Sequence, residues 1–220
     1  MTGRRVAALV WDMDGTLLDS RVAVTGAFRQ AALDLSGRRW SADEVVAAYP
    51  IGPPSQILGH LLGRTATVAD EQVYLHELDG RLAEVVVHDG VREVLEEVAR
   101  DGVAMAVFTG GGQAAAEAML GAVGLSGHFA TIVGGDVAGR PKPAPDGVLL
   151  ACQRLGVAPV DAAYIGDSPL DLEAARRSGA LAVAAGWGHL YDPGAPYDVL
   201  ARAPGDVRAL LAPAETGPTG

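Results

Sequence analysis

The sequence predicts an α/β fold, a parallel sheet with crossover helices that a helical insertion interrupts near its start. Residues 6–11 form an apolar run that stops at Asp12 and Asp14, as a buried parallel strand does at a ligand-binding edge. From residue 88 onward, apolar runs alternate with helix-period segments, the order of a sheet built from strand and crossover helix. Between these regions, residues 21–87 carry helical patterns alone.

Each element has a local reason. Ser20 can N-cap a helix running to Leu35, with Val24, Phe28, Ala31, Ala32 and Leu35 at helical spacing, and Gly37 ends it. Ser41 with Glu44 three residues on reads as a capping box for a short helix through Tyr49, closed by Pro50. Gly52, Pro53 and Pro54 make a rigid loop before a helix over 55–62, and 67–86 is helical again. Helix 91–100 leads into strand 103–108, which ends in Thr109 and three glycines, and helix 113–123 follows. Strand 131–133 then precedes a loop holding Lys142 between Pro141 and Pro143. Helix 145–155, strand 162–165, a Gly166-Asp167-Ser168-Pro169 turn, a helix ending at Ser178-Gly179 and strand 181–185 complete the alternation. Residues 204–211 read as a terminal helix, and 212–220, rich in Pro, Gly and Thr, as a frayed tail. The expected division is a core of residues 1–20 and 88–211 with a cap of residues 21–87, whose two ends return to one edge like a lid on hinges.

Composition narrows the function classes. Of 220 residues, 49% are hydrophobic, enough for a packed core. A net charge of −10 argues against a broad nucleic-acid surface or an anionic-membrane anchor. The single cysteine, Cys152, excludes an internal disulfide and fits a reducing cytoplasm. No apolar stretch approaches the roughly 20 residues of a membrane span, and the N-terminus has no signal-peptide pattern. Oligomeric state is left open.

Asp12 and Asp14, two apart at a strand end, can project into one crevice, and Gly15 permits the sharp exit that follows. Two carboxylates in a small space repel, so the pattern calls for a metal, a shared proton, or both. Further polar residues stand at the ends of the later strands: Thr109, Lys142 in the loop after the third strand, and Asp167 with Asp171 four residues on. The five histidines, at 60, 76, 88, 128 and 189, lack metal-ligand spacing.

In that order, Asp12-Met13-Asp14-Gly15-Thr16, Thr109, Lys142 in RPKPAPD and GDSPLD resemble the four motifs of the haloacid dehalogenase superfamily. The insertion resembles its small helical caps, as in phosphoglycolate phosphatase and β-phosphoglucomutase relatives. The resemblance spans residues 6–190 and implies a Rossmann-like parallel sheet core with helices on both faces and an inserted α-helical cap. It also implies a phosphatase acting on a small phosphorylated metabolite.

Such esters resist hydrolysis so strongly that their hydrolases show the largest known rate enhancements, up to about 10²¹-fold. A covalent intermediate divides the barrier. By resemblance Asp12 is the nucleophile, forming an aspartyl phosphate, and Asp14 is the acid and then the base, its proton retained through repulsion from nearby carboxylates. Four ionised aspartates against one lysine leave the site too negative for a phosphoryl group without a divalent cation, and hard oxygen ligands favour Mg²⁺. The implied ligands are the side chains of Asp12 and Asp167 and the backbone carbonyl of Asp14, with Asp171 orienting Lys142 or a metal-bound water. Thr109 and the backbone of Gly110, at a helix start, would hold the phosphate together with Lys142. Gly110 stands where many relatives carry Asn, which puts a side-chain contact in doubt and leaves the backbone one. A dehalogenase is disfavoured because Asp14 is present. A phosphosugar mutase using the same residues, and a catalytically silent phospho-ligand sensor, stay open as alternatives. Asp19 and Ser20 are expected to start the cap helix; Tyr49, Gly52, Pro53 and Gln56 could face the active site from the cap, with core packing or loop rigidity the favoured reading.

Overall fold

The structure, a computed structural model, describes residues 4–211; the tail expected over 212–220 lies outside them. Strand β1 (Ala8–Trp11) is followed by a two-residue strand β2 (Leu18–Asp19) and helices α1 (Arg21–Ser36), α2 (Ala42–Ala48), α3 (Pro54–Leu62) and α4 (Val68–Asp79). A second two-residue strand, β3 (Val86–Val87), leads to α5 (Val91–Arg100), β4 (Ala104–Phe108), α6 (Gln113–Ala122) and β5 (Thr131–Val133). Helix α7 (Asp146–Leu155), β6 (Ala162–Gly166), α8 (Pro169–Ser178), β7 (Leu181–Ala185) and β8 (Val199–Ala201) complete the order.

Six strands form one parallel sheet in the order β5-β4-β1-β6-β7-β8. β1 lies between β4 and β6, with Trp11 in register with Val107 on one side and Ile165 on the other. Successive side chains alternate between faces and so feed two separate cores. Leu9, Trp11, Met105 and Val107 pack with α5 and α6, whereas Val10, Ala106, Phe108 and Tyr164 pack with α7 and α8. Helices on both faces account for the continuous apolar runs, since the strands β1, β6 and β7 are buried along their whole length.

Four expectations are corrected. The first strand begins at Ala8, and Val6 makes only an isolated bridge with Leu211. The insertion is not purely helical, because β2 and β3 pair antiparallel where it leaves and rejoins the sheet. The helical reading of 67–86 divides into α4 and a 3₁₀ turn, Leu82–Glu84, before β3. The expected terminal helix is a 3₁₀ segment, Pro204–Leu210, preceded by the unforeseen edge strand β8.

Within the insertion, α1 packs against α2, α3 and α4. The Ser41–Glu44 capping box forms as expected, and Thr67 with Asp70 makes another at the start of α4. Gly37 ends α1 in the left-handed conformation (φ 71°).

Candidate active site

Asp12, Thr109 and Asp167 each follow directly on a strand, β1, β4 and β6, so the parallel register delivers them to the same sheet edge. The Asp12 N–H donates to the Ile165 carbonyl (2.8 Å) and the Thr109 N–H to that of Val133 (3.0 Å), which extends the ladder one residue past each strand. Beyond Asp12 the chain turns sharply, with the N–H groups of Leu17 and Leu18 both donating to the Met13 carbonyl at 2.9 Å. Gly15 sits in this turn at φ 89°, and a Cβ there would lie 2.4 Å from Asp167 Oδ2. A Cβ on Gly188 would lie 2.1 Å from Asp167 Cβ. Two loops thus reach Asp167 through glycines that admit no side chain.

Lys142 reaches in from the loop between β5 and α7. Its Nζ lies 2.5 Å from Asp12 Oδ1 and 2.6 Å from Asp171 Oδ1, and only 9% of its side chain is exposed. It also stands over the Phe108 ring, 4.8 Å from the centroid. Burial works against its charge, but the two carboxylates outweigh it and hold the ammonium above its ordinary pKa.

Asp171 is fixed by helix capping. It is the third residue of α8, and its Oδ2 accepts from the Ser168 N–H (3.0 Å) and hydroxyl (2.6 Å), closing a capping box. The Tyr164 hydroxyl lies 3.0 Å from both Asp171 Oδ1 and the Phe108 carbonyl, and its one proton serves either.

Asp12, Asp167 and Asp171 each place one carboxylate oxygen within 4.8 Å of the others, and all three are buried. Asp167 Oδ1 has no hydrogen-bond partner, although its Oδ2 accepts from the Leu190 N–H at 2.9 Å. A buried, orphaned carboxylate oxygen beside two further carboxylates could hold a hard divalent cation. Without a cation, burial raises Asp167 to about 7 and, with repulsion from Asp171, holds Asp12 well above the carboxylate range. The Asp14 side chain is not part of this triad.

Asp14 faces two hydroxyls instead. Ser20 donates to its Oδ1, and Thr109 Oγ1 donates to its Oδ2 at 3.2 Å. Ser20 does stand at the N-cap of α1, yet makes no side-chain cap bond there. Burial raises the Asp14 pKa, against those two hydrogen bonds, so desolvation and not carboxylate repulsion is what favours its protonated form. The glycine loop is partly engaged: the Gly111 N–H donates to Thr109 Oγ1 (3.0 Å) and the Gln113 N–H to Asp136 (2.9 Å). Gly110 and Gly111 line the cavity, and a Cβ on Gly110 would meet nothing within 4 Å.

The cavity above these groups holds about 240 Å³ and lies between the sheet edge and the insertion. Tyr49, Gly52 and Pro53 line it, whereas Gln56 does not, and Phe28 and Tyr74 join them from α1 and α4.

The chain matches the family described as haloacid dehalogenase-like hydrolase over residues 6–179. It belongs to that family. Curated relatives include the Probable phosphatase IndB of Dickeya dadantii, 32% identical over 217 residues, covering 92% of this chain and 94% of that protein. The phosphoglycolate phosphatase of Pseudomonas putida is 31% identical, covering 92% of this chain and 78% of its own. Among solved structures, CbbY from Rhodobacter sphaeroides in complex with phosphate superposes with a TM-score of 0.81 at 22% identity, covering 92% of this chain and 96% of that one. At that identity the likeness is one of fold.

For this haloacid dehalogenase-like hydrolase, sequence reasoning named Asp12, Asp14, Thr109, Gly110, Lys142, Asp167 and Asp171, and all of them line one cavity. It missed Ser20 as the partner of Asp14, because Ser before a helix reads locally as a cap. It also missed Tyr164, whose hydroxyl belongs to an otherwise apolar strand, and Ser168, whose spacing to Asp171 was a legible capping box. Among the described residues no helix is long and apolar enough to cross a membrane.

Proposed function

We propose that the chain is a Mg²⁺-dependent phosphatase that hydrolyses a small phosphorylated metabolite in the cytoplasm through an aspartyl phosphate on Asp12. The observation that carries this reading is the pairing of Asp12, whose Oδ1 is held by buried Lys142, with Asp14, a half-buried carboxyl at the same cavity whose two oxygens are held by Ser20 and Thr109. In this reading Asp12, beside the Lys142 ammonium, attacks, and Asp14, set between two hydroxyls, carries the proton.

In this reading a carboxylate oxygen of Asp12 attacks phosphorus while the bond to the leaving alcohol breaks, and Asp14 gives its proton to that alcohol. Asp14 then accepts a proton from the water that attacks the phosphorus. Phosphate departs and the Asp12 carboxylate is restored. Lys142 balances charge on the nucleophile and transferring group, and Thr109 with the Gly110 backbone steadies the phosphoryl oxygens. Asp12, Asp167 and the Asp14 backbone carbonyl would hold Mg²⁺, which supplies neutralisation of the phosphoryl charge. Asp171 is left to orient Lys142, since Lys142, Tyr164 and Ser168 already engage its oxygens.

The division into a core of 1–20 and 88–211 and a cap of 21–87 belongs to the same proposal. The antiparallel β2–β3 pair would be the hinge on which the cap closes and excludes water. A net charge of −10 argues against a nucleic-acid surface and fits a substrate drawn in by local cations alone.

The test is release of inorganic phosphate from sugar phosphates, phosphoglycolate, nucleotides and pyrophosphate, with Mg²⁺ and with EDTA. Release with Mg²⁺ that EDTA abolishes is expected. Absence of release from folded protein across the panel and from benzyl phosphate contradicts the reading.

A further inference from the structure

We propose that the alcohol this phosphatase releases is uncharged and presents an apolar or planar face, with no second anionic group. The inference rests on the phosphatase reading above and concerns the cap side of the same cavity.

Aromatic residues make up 5% of the chain, yet three of them, Phe28, Tyr49 and Tyr74, wall this cavity. Phe28 and Tyr74 stack with centroids 4.3 Å apart, and Tyr49 tilts against Phe28 at 6.4 Å. The Tyr49 hydroxyl is engaged by Thr25 Oγ1 at 2.8 Å, inside the cap. Ile57 from the cap, and Met119 and Leu170 from the core, extend the apolar lining. Phe28, Tyr74, Ile57 and Met119 are themselves buried, so the apolar surface open to a leaving group comes chiefly from Tyr49 and Leu170; it favours an apolar group, at about 25 cal/mol per Å² removed from water.

Cations are correspondingly scarce. Lys142 is committed to Asp12 and Asp171 beneath the phosphoryl position, and His189 Nδ1 faces Asp167 at 3.7 Å. From the cap, Arg21 alone among its arginines lines the cavity, and its guanidinium is bound by both oxygens of Asp19, at 2.9 and 2.6 Å. Arg29, Arg39 and Arg81 line a different groove, and Arg64 pairs with Asp70. A carboxylate or second phosphate on the substrate would therefore enter without an unpaired partner, and burying it so is costly. The same shortage weighs against a phosphosugar mutase, which must hold a bisphosphate.

The test compares kcat/KM, with Mg²⁺, for benzyl phosphate and 2-phosphoglycolate, both esters of unactivated alcohols. Benzyl phosphate is expected to be favoured at least tenfold. Leu170→Lys, at a rim position 44% exposed, should narrow that ratio at least threefold by supplying the missing cation. Equal or better turnover of phosphoglycolate by the wild type overturns the inference and leaves the phosphatase reading standing. No phosphate from either ester, with the protein folded, overturns both.

Discussion

Lys142 Nζ lies 2.5 Å from Asp12 Oδ1, a contact between residues 130 apart in the chain. With Asp171 at 2.6 Å on the other side, one buried ammonium stands among three buried carboxylates. Lys142→Met removes the only cation in that group and leaves the carboxylates unbalanced, a change worth about 3–5 kcal/mol when a buried pair loses one partner. The metal-free variant should melt well below the wild type at pH 8. The gap should shrink at pH 5, where the carboxylates take up protons. Equal melting temperatures at pH 8 would show that the ammonium does not offset them.

The metal-free protein should also lose stability as pH rises. Asp167 is raised by burial to about 7 against an unfolded value near 3.9, so between those pH values the folded state binds more protons than the unfolded one. Asp12, also raised, acts in the same direction. Melting temperatures in EDTA should fall from pH 5 to pH 7, and saturating Mg²⁺ should remove that fall. A metal-free protein that gains stability over the same range contradicts the burial of these carboxylates.

Gly188→Ala should act on metal affinity. Its Cβ would lie 2.1 Å from Asp167 Cβ, so the carboxylate must move. Displacing a ligand's support commonly costs 10- to 100-fold in affinity. The Mg²⁺ concentration for half-maximal activity is expected to rise at least tenfold, read by titration of phosphate release. An unchanged value would remove Asp167 from the metal site.

Ser20→Ala tests the setting of Asp14. Loss of the hydroxyl donor should lower kcat about tenfold, a fraction of the roughly 10²- to 10⁴-fold a positioned proton donor supplies, with KM little changed. Because that hydrogen bond lowers the Asp14 pKa, the limb of the pH–rate profile due to Asp14 should move to higher pH. An unaltered profile would assign Ser20 to helix start alone.

Much of this architecture was legible because it rests on local or periodic signals. Helix α5 and strands β5 and β7 have the expected bounds, since Gly102, Gly134 and Gly179 or apolar periodicity mark their limits. Ser41–Glu44 was readable from spacing alone. The two-residue strands β2 and β3 were not, because a pair of residues has no period and the partners lie far apart in sequence. The site residues were legible one strand end at a time. Their partners depended on tertiary placement: Ser20 turns from its helix to Asp14, and Tyr164 turns its hydroxyl to Asp171 from within a buried strand. The aromatic wall of the cavity was hidden for the same reason, as Phe28 and Tyr74 meet only when α1 packs on α4.

The most direct test of the central claim is phosphate release by purified Asp12→Asn with Mg²⁺, on whichever ester the wild type turns over fastest. Asparagine preserves the shape of the side chain but cannot attack phosphorus as a carboxylate does. The account predicts a rate at least 10³-fold below wild type with an unchanged far-ultraviolet circular dichroism spectrum. A rate within tenfold of wild type would contradict covalent catalysis by Asp12.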